Sequence, residues 1–218
     1  MNKVVDTPNK NNSKYPLIMP IVGIIAFVSL YILASWQYPG GSQADPQSIG
    51  FSWMNNYFCN LLNETAINGK PNLGQPFALA SLVVLALSLA LFWWSFPNYL
   101  SLSKIQTKII RITGVGSMII ACFLFTKYNH DVITNTASLF GLIAILTSMW
   151  VLYQHKLKAI FVFGLFNLLL VLINNWLYYD PSLIKYLPLV QKISFASVLI
   201  WIIWINLNWF FAKGIEKP

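Results

Sequence analysis

Few residues in this chain can carry acid, base or ligand chemistry, and they fall into two sets. His130 stands directly before Asp131, a pair suited to a general base held by a neighbouring acid, with Glu64 as a further carboxylate to orient it. Such a trio would serve hydrolysis of a lipid-like substrate. The second set is suited to binding. Lys127 and Lys192 offer cations to an anionic group, while Asn56, Asn60 and Gln191 offer amides that both donate and accept. Each set also has a structural reading. Asp131 could cap a helix that begins at Val132, and Gln191 with Lys192 could form an interhelical bond and a cation reaching toward the membrane surface.

Metal chemistry has little to build on. The second histidine, His155, belongs to the turn Gln154-His155-Lys156, and a lone His130 is not a zinc site. Asp45, Glu64, Asp131 and Asp180 lie in no segment resembling a calcium-coordinating loop, so no metal or cofactor is expected. Cys59 and Cys122 lack paired spacing. They either bridge or sit as small apolar side chains.

The elements that must position these residues follow from composition. Of 218 residues, 57% are hydrophobic and 9% charged, against about 45–50% and about 25% in a soluble domain. That excess excludes a soluble globular fold and makes lipid the solvent. Apolar runs near 16–38, 75–96, 109–126, 132–153, 159–179 and 188–212 are each long enough to span a bilayer. The expected fold is therefore an all-α membrane protein, a bundle of six transmembrane helices, with polar tails at 1–15 and 213–218. The first run is too long for a secretory signal and ends in Ser35-Trp36-Gln37-Tyr38, without a small-x-small cleavage site, so it reads as an uncleaved helix.

Only Lys127-Tyr128-Asn129-His130-Asp131 separates the third run from the fourth, which makes those helices antiparallel neighbours. Ten of the 14 Lys and Arg residues, from Lys3 to Lys217, fall on one side of the membrane; Lys70, Lys127, Lys185 and Lys192 fall on the other. By the positive-inside rule both termini are cytoplasmic. The net charge of +8 is thereby explained by orientation, and nucleic-acid binding is disfavoured. Abundant Lys, Asn and Ile beside a single Arg suggest a bacterial inner membrane. Trp36, Tyr38, Trp93, Trp94, Trp150, Trp176 and Trp209 sit near span ends as interface anchors. Gly114 and Gly116, with Thr113 and Ser117, form a small-residue face suited to close helix packing.

The longest connection, 39–74, faces outward in this topology. Within it Phe51, Met54, Phe58, Leu61 and Leu62 recur at helical spacing, so 51–62 is expected to be an amphipathic helix over the mouth of the bundle. Beneath it would lie an outward-facing polar pocket of Asn56, Asn60, Glu64, Lys127, His130, Asp131, Gln191 and Lys192.

This layout, with NYFCNLL at 56–62 in its outer loop, resembles six-helix bacterial membrane proteins of the DUF998 type. The resemblance implies the six-helix fold and no particular activity; the acidic position associated with that outer stretch is Asn60 here. Ceramidase-like membrane hydrolases are a more distant comparison, and their metal-binding histidines are absent. Membrane lipids are expected partners. A lipid headgroup or small envelope metabolite suits the pocket, and a structural subunit bound to another membrane protein is a further possibility. A transporter would need polar residues through the midplane, where the second and third helices offer mainly Ser81, Ser88, Thr113 and Ser117.

Overall fold

The computed structural model describes residues 14–123 and 129–215; the side chains of His130 and of residues 213–215 are outside the described set. Six long helices form: α1 (Tyr15–Trp36), α2 (Gln75–Ser95), α3 (Lys104–Cys122), α4 (His130–Gln154), α5 (Lys158–Tyr179) and α6 (Leu187–Ile215). All six are long and apolar enough to cross a membrane. Ile25, Leu87, Ile112, Leu172 and Ile200 are each more than half exposed on them. Such helices are stable only where lipid takes the place of water, and the protein is an all-α, multi-pass integral membrane protein.

Helix ends follow local capping rather than the limits of the apolar runs. α3 begins at Lys104, five residues before the expected 109. Ser103 accepts from the Gln106 amide at 3.2 Å while the Gln106 side chain accepts from the Ser103 amide at 2.9 Å, a reciprocal cap that starts the helix early. The cap of α4 is Asn129 rather than Asp131. Its side chain accepts from the amides of Asp131 at 3.0 Å and Val132 at 3.3 Å, which leaves Asp131 in the first turn.

The chain divides into two compact units. One holds the described residues up to Gly23, Leu85–Phe161 and those from Ile202 onward. Here α3 and α4 are antiparallel neighbours, as their short connection requires. Gln106 bonds Gln154 and Ser117 bonds Ala137, so ascending one helix descends the other. Close approach depends on small residues. A Cβ on Gly116 would lie 3.0 Å from the Phe140 ring of α4, and one on Gly114 would lie 2.3 Å from Cγ of Trp93 of α2. Ser117 Oγ then reaches the Ala137 carbonyl at 2.9 Å.

The same unit contains a run of aromatic contacts in which Phe96 meets Trp209 edge-on at 5.2 Å and Tyr99 stacks on Trp209 at 5.4 Å. Trp93 and Trp209 are therefore buried packing residues rather than interface anchors, whereas Trp94 and Trp150 remain exposed. Arg111 donates to the Trp94 carbonyl at 2.9 Å and to Asn98 Oδ1 at 2.7 Å, with its guanidinium over the Trp94 ring.

The second unit comprises Ile24–Val84 and Val162–Trp201. It holds the 37–74 loop, the adjoining parts of α1 and α2, and most of α5 with the start of α6.

Candidate functional site

The 37–74 loop is organised by asparagine side chains. Asn56 is fully buried: its Nδ2 donates to the Gly41 carbonyl at 2.8 Å and to Asn60 Oδ1 at 3.3 Å, and its Oδ1 accepts from the Ser52 amide at 2.8 Å. Asn60 Oδ1 also accepts from the Tyr57 amide at 2.7 Å. Asn72 Nδ2 donates to the carbonyls of Leu61 and Asn63 at 3.0 and 2.9 Å. Gly41 sits at φ 84°, and a Cβ there would lie 2.4 Å from the Asn68 amide nitrogen. Only glycine lets the strands of the loop approach so closely.

These bonds correct the expected helix. Amphipathic spacing predicts helix over 51–62, but the only helix within it is the 3-10 segment Phe58–Leu62, preceded by turns. Asn56 and Asn60 take up backbone amides at Ser52 and Tyr57 that would otherwise enter or flank a helical ladder, the competition that makes asparagine a turn former.

The loop is tied to α6 by Lys192. Its Nζ donates to the Asn56 carbonyl and, at 2.9 Å, to the Pro188 carbonyl. The ammonium also lies over the rings of Phe51 at 5.6 Å and Phe58 at 5.5 Å. Among the described residues its partners are carbonyl dipoles and aromatic faces, none of them a carboxylate. Beside it, Gln191 Oε1 accepts weakly from the Phe58 amide at 3.5 Å.

An aromatic nest holds this arrangement in place. Tyr31 of α1 donates its hydroxyl to the Phe58 carbonyl at 3.0 Å and meets the Phe58 ring edge-on at 4.8 Å. Phe51 meets Trp53 at 5.3 Å, and Phe195 of α6 meets Phe58 at 5.1 Å. Tyr38, expected at the interface, is buried and accepts from the Ile67 amide at 3.1 Å. Burial pushes the Cys59 thiol above its ordinary value, opposed by its own backbone bond and by the nearby Lys192 charge. Burial likewise raises the Tyr38 and Tyr57 phenols. The site therefore holds protonated thiol and phenol groups at neutral pH, and Cys59 is a poor nucleophile there.

Of the residues singled out from sequence, the structure brings Asn56, Asn60, Gln191 and Lys192 together. Glu64 is exposed elsewhere in the loop, and Asp131 is exposed in the first turn of α4 in the other unit. Lys127 and the His130 side chain lie outside the described residues. Among the described residues, no group of three or more His, Cys, Asp or Glu side chains could hold a metal. Both cysteines are free thiols.

Sequence reasoning passed over a polar series within the spans. Asn167 and Asn174 of α5 and Ser194 and Ser197 of α6 lie in otherwise apolar helices. Asn174 Nδ2 donates to Ser194 Oγ and, at 2.9 Å, to the Leu170 carbonyl. Both polar atoms of Asn167, Asn174 Oδ1 and Ser197 Oγ are buried without a hydrogen-bond partner. An amide or hydroxyl so placed in hydrocarbon costs roughly 2–7 kcal/mol. The signal was legible: two amides seven residues apart share a helix face. The established result is an integral membrane protein with six apolar helices, and no protein-family model, curated protein or solved structure matches the chain.

Proposed function

We propose that the protein binds a lipid headgroup or a small anionic metabolite where the 37–74 loop meets the start of α6, on the outward face of a bacterial inner membrane. The observation that carries this reading is the Lys192 ammonium, half-buried against two carbonyls and two aromatic rings, with no carboxylate partner among the described residues. A cation held this way at a membrane boundary favours an anion that completes its neutralisation. Asn56 and Asn60 shape the ground beneath it; their amides are engaged by loop backbone, so they act by positioning the Asn56 carbonyl. The positive-inside balance supports the outward orientation.

Native mass spectrometry of protein extracted with its own lipids tests the reading, comparing wild type with Lys192→Met and Lys192→Arg. A bound anionic species retained by wild type and Lys192→Arg and lost from Lys192→Met supports it. An equal complement of adducts on all three rejects it.

A further inference from the structure

Asn174 and Ser194 join α5 to α6 at one point, and the unpartnered polar atoms of Asn167 and Ser197 belong to the same two helices. The Asn174–Ser194 bond fixes the register of these two helices, which a short connection makes antiparallel. From that pair, Ser197 is three residues further along α6 and Asn167 seven residues back along α5. Both moves run in the same direction, by about 4.5 Å and about 10.5 Å at 1.5 Å per residue. Asn167 is 4% exposed and Ser197 is 7% exposed. Along the helix axes the three positions thus follow one another at steps of roughly 4–6 Å, within the reach of one water making two hydrogen bonds of about 2.8 Å each.

The chemistry of the series selects its occupant. Asn167 offers both a donor and an acceptor, Ser197 a hydroxyl that does either, and Asn174 an acceptor oxygen. An anion would face carbonyl oxygens. A cation such as Ca²⁺ needs about 6–8 oxygens converging on one point, whereas these are strung along a helix. An apolar molecule would leave every one of these atoms unpaired. We propose that the α5/α6 seam is a binding site for a file of ordered water molecules, joining Asn174, Ser197 and Asn167 inside the membrane. Side chains close directly over these atoms in this conformation, so hydration requires the seam to part by about the diameter of one water. The proposal is independent of any ligand at Lys192.

Solid-state NMR of the protein in bilayers, with asparagine side chains labelled with nitrogen-15, tests it by timing magnetisation transfer from water to each side-chain amide. The Asn167 signal is assigned by its loss in Asn167→Leu or, if that variant does not fold, in Asn167→Ser. Asn206 is the dry reference, being buried with its Nδ2 bonded to the Ile202 carbonyl at 2.8 Å. Hydration predicts transfer to Asn167 severalfold faster than to Asn206, slowed in Ser197→Leu, where the added side chain fills the seam. Transfer as slow as that of Asn206 would overturn the proposal. So would transfer arriving first from lipid or from a co-purified organic molecule.

Discussion

The α3/α4 pair and the α5/α6 pair face the same requirement, joining two helices where lipid offers no hydrogen bonds, and they meet it with different residues. In α3 and α4, glycines open the contact and Ser117 reaches a carbonyl of the opposite helix directly. α5 instead brings two amides, Asn167 and Asn174, larger and with more atoms to satisfy, and the Asn174–Ser194 bond leaves Asn174 Oδ1, both polar atoms of Asn167 and the Ser197 hydroxyl of α6 unpaired. Small residues trade polar capacity for close packing, so such a contact is complete without anything else. Amides carry donors and acceptors in fixed opposition, and one partner satisfies only part of each. The difference is not absolute: Ser148 of α4 is also buried and unpartnered. A hydroxyl rotates freely, however, whereas a carboxamide must satisfy two ends at once.

In the loop, by contrast, the buried Asn56 and Asn72 each have both ends of the amide bonded. Asn56→Ala should have the largest effect, because it strips partners from the Ser52 amide and the Gly41 carbonyl and loosens Asn60. We expect a loss of about 3 kcal/mol, seen as a lower thermal midpoint in detergent and as new proteolytic cleavage within 42–57. An unchanged midpoint would mean that the loop is held by its aromatic nest alone. Gly114→Leu comes next. Its added side chain runs into Trp93, and overpacking of this kind costs about 1–3 kcal/mol, read from the same unfolding curve while the loop's proteolytic pattern stays that of wild type.

Ser117→Ala removes a single interhelical hydrogen bond and should cost only about 0.6 kcal/mol, the usual size of such bonds in membranes. A much larger loss would show that the α3/α4 contact depends on polar bonding as heavily as the loop does. The smallest effect concerns pH. The Cys59 thiol titrates above its ordinary value of 9.0 in the folded protein, so its contribution to stability is complete below about pH 9. It is lost as pH rises through the folded value. Thermal midpoints between pH 8 and pH 10.5 should fall more for wild type than for Cys59→Ala, and parallel curves would show that the thiol is not held protonated.

Much of the fold can be read from the chain because a bilayer imposes a one-dimensional rule: each span needs its own continuous apolar run, and every helix satisfies its own backbone. That rule placed the six helices, and the five-residue connection paired α3 with α4. Gly114, Gly116 and Ser117 were legible as a contact face because small size has one main use in lipid. The same reasoning overextended the helix at 51–62. Periodicity registers where apolar side chains fall, but not that Asn56 and Asn60 bond to backbone amides instead.

The site was legible only in its ingredients. Asn56, Asn60, Gln191 and Lys192 could be named from residue type, yet Asn56 and Lys192 stand 136 positions apart. Whether an amide faces a ligand or its own loop depends on which carbonyl comes within 3 Å of it. Sequence by itself determined the solvent, the number of spans and the small-residue contact, since these depend on composition and spacing along one helix. Tertiary structure alone decided that the loop closes over Lys192 and that Asn167 is left without a partner. Hydrogen bonds are short and directional, and their making or missing is settled by the folded chain in three dimensions.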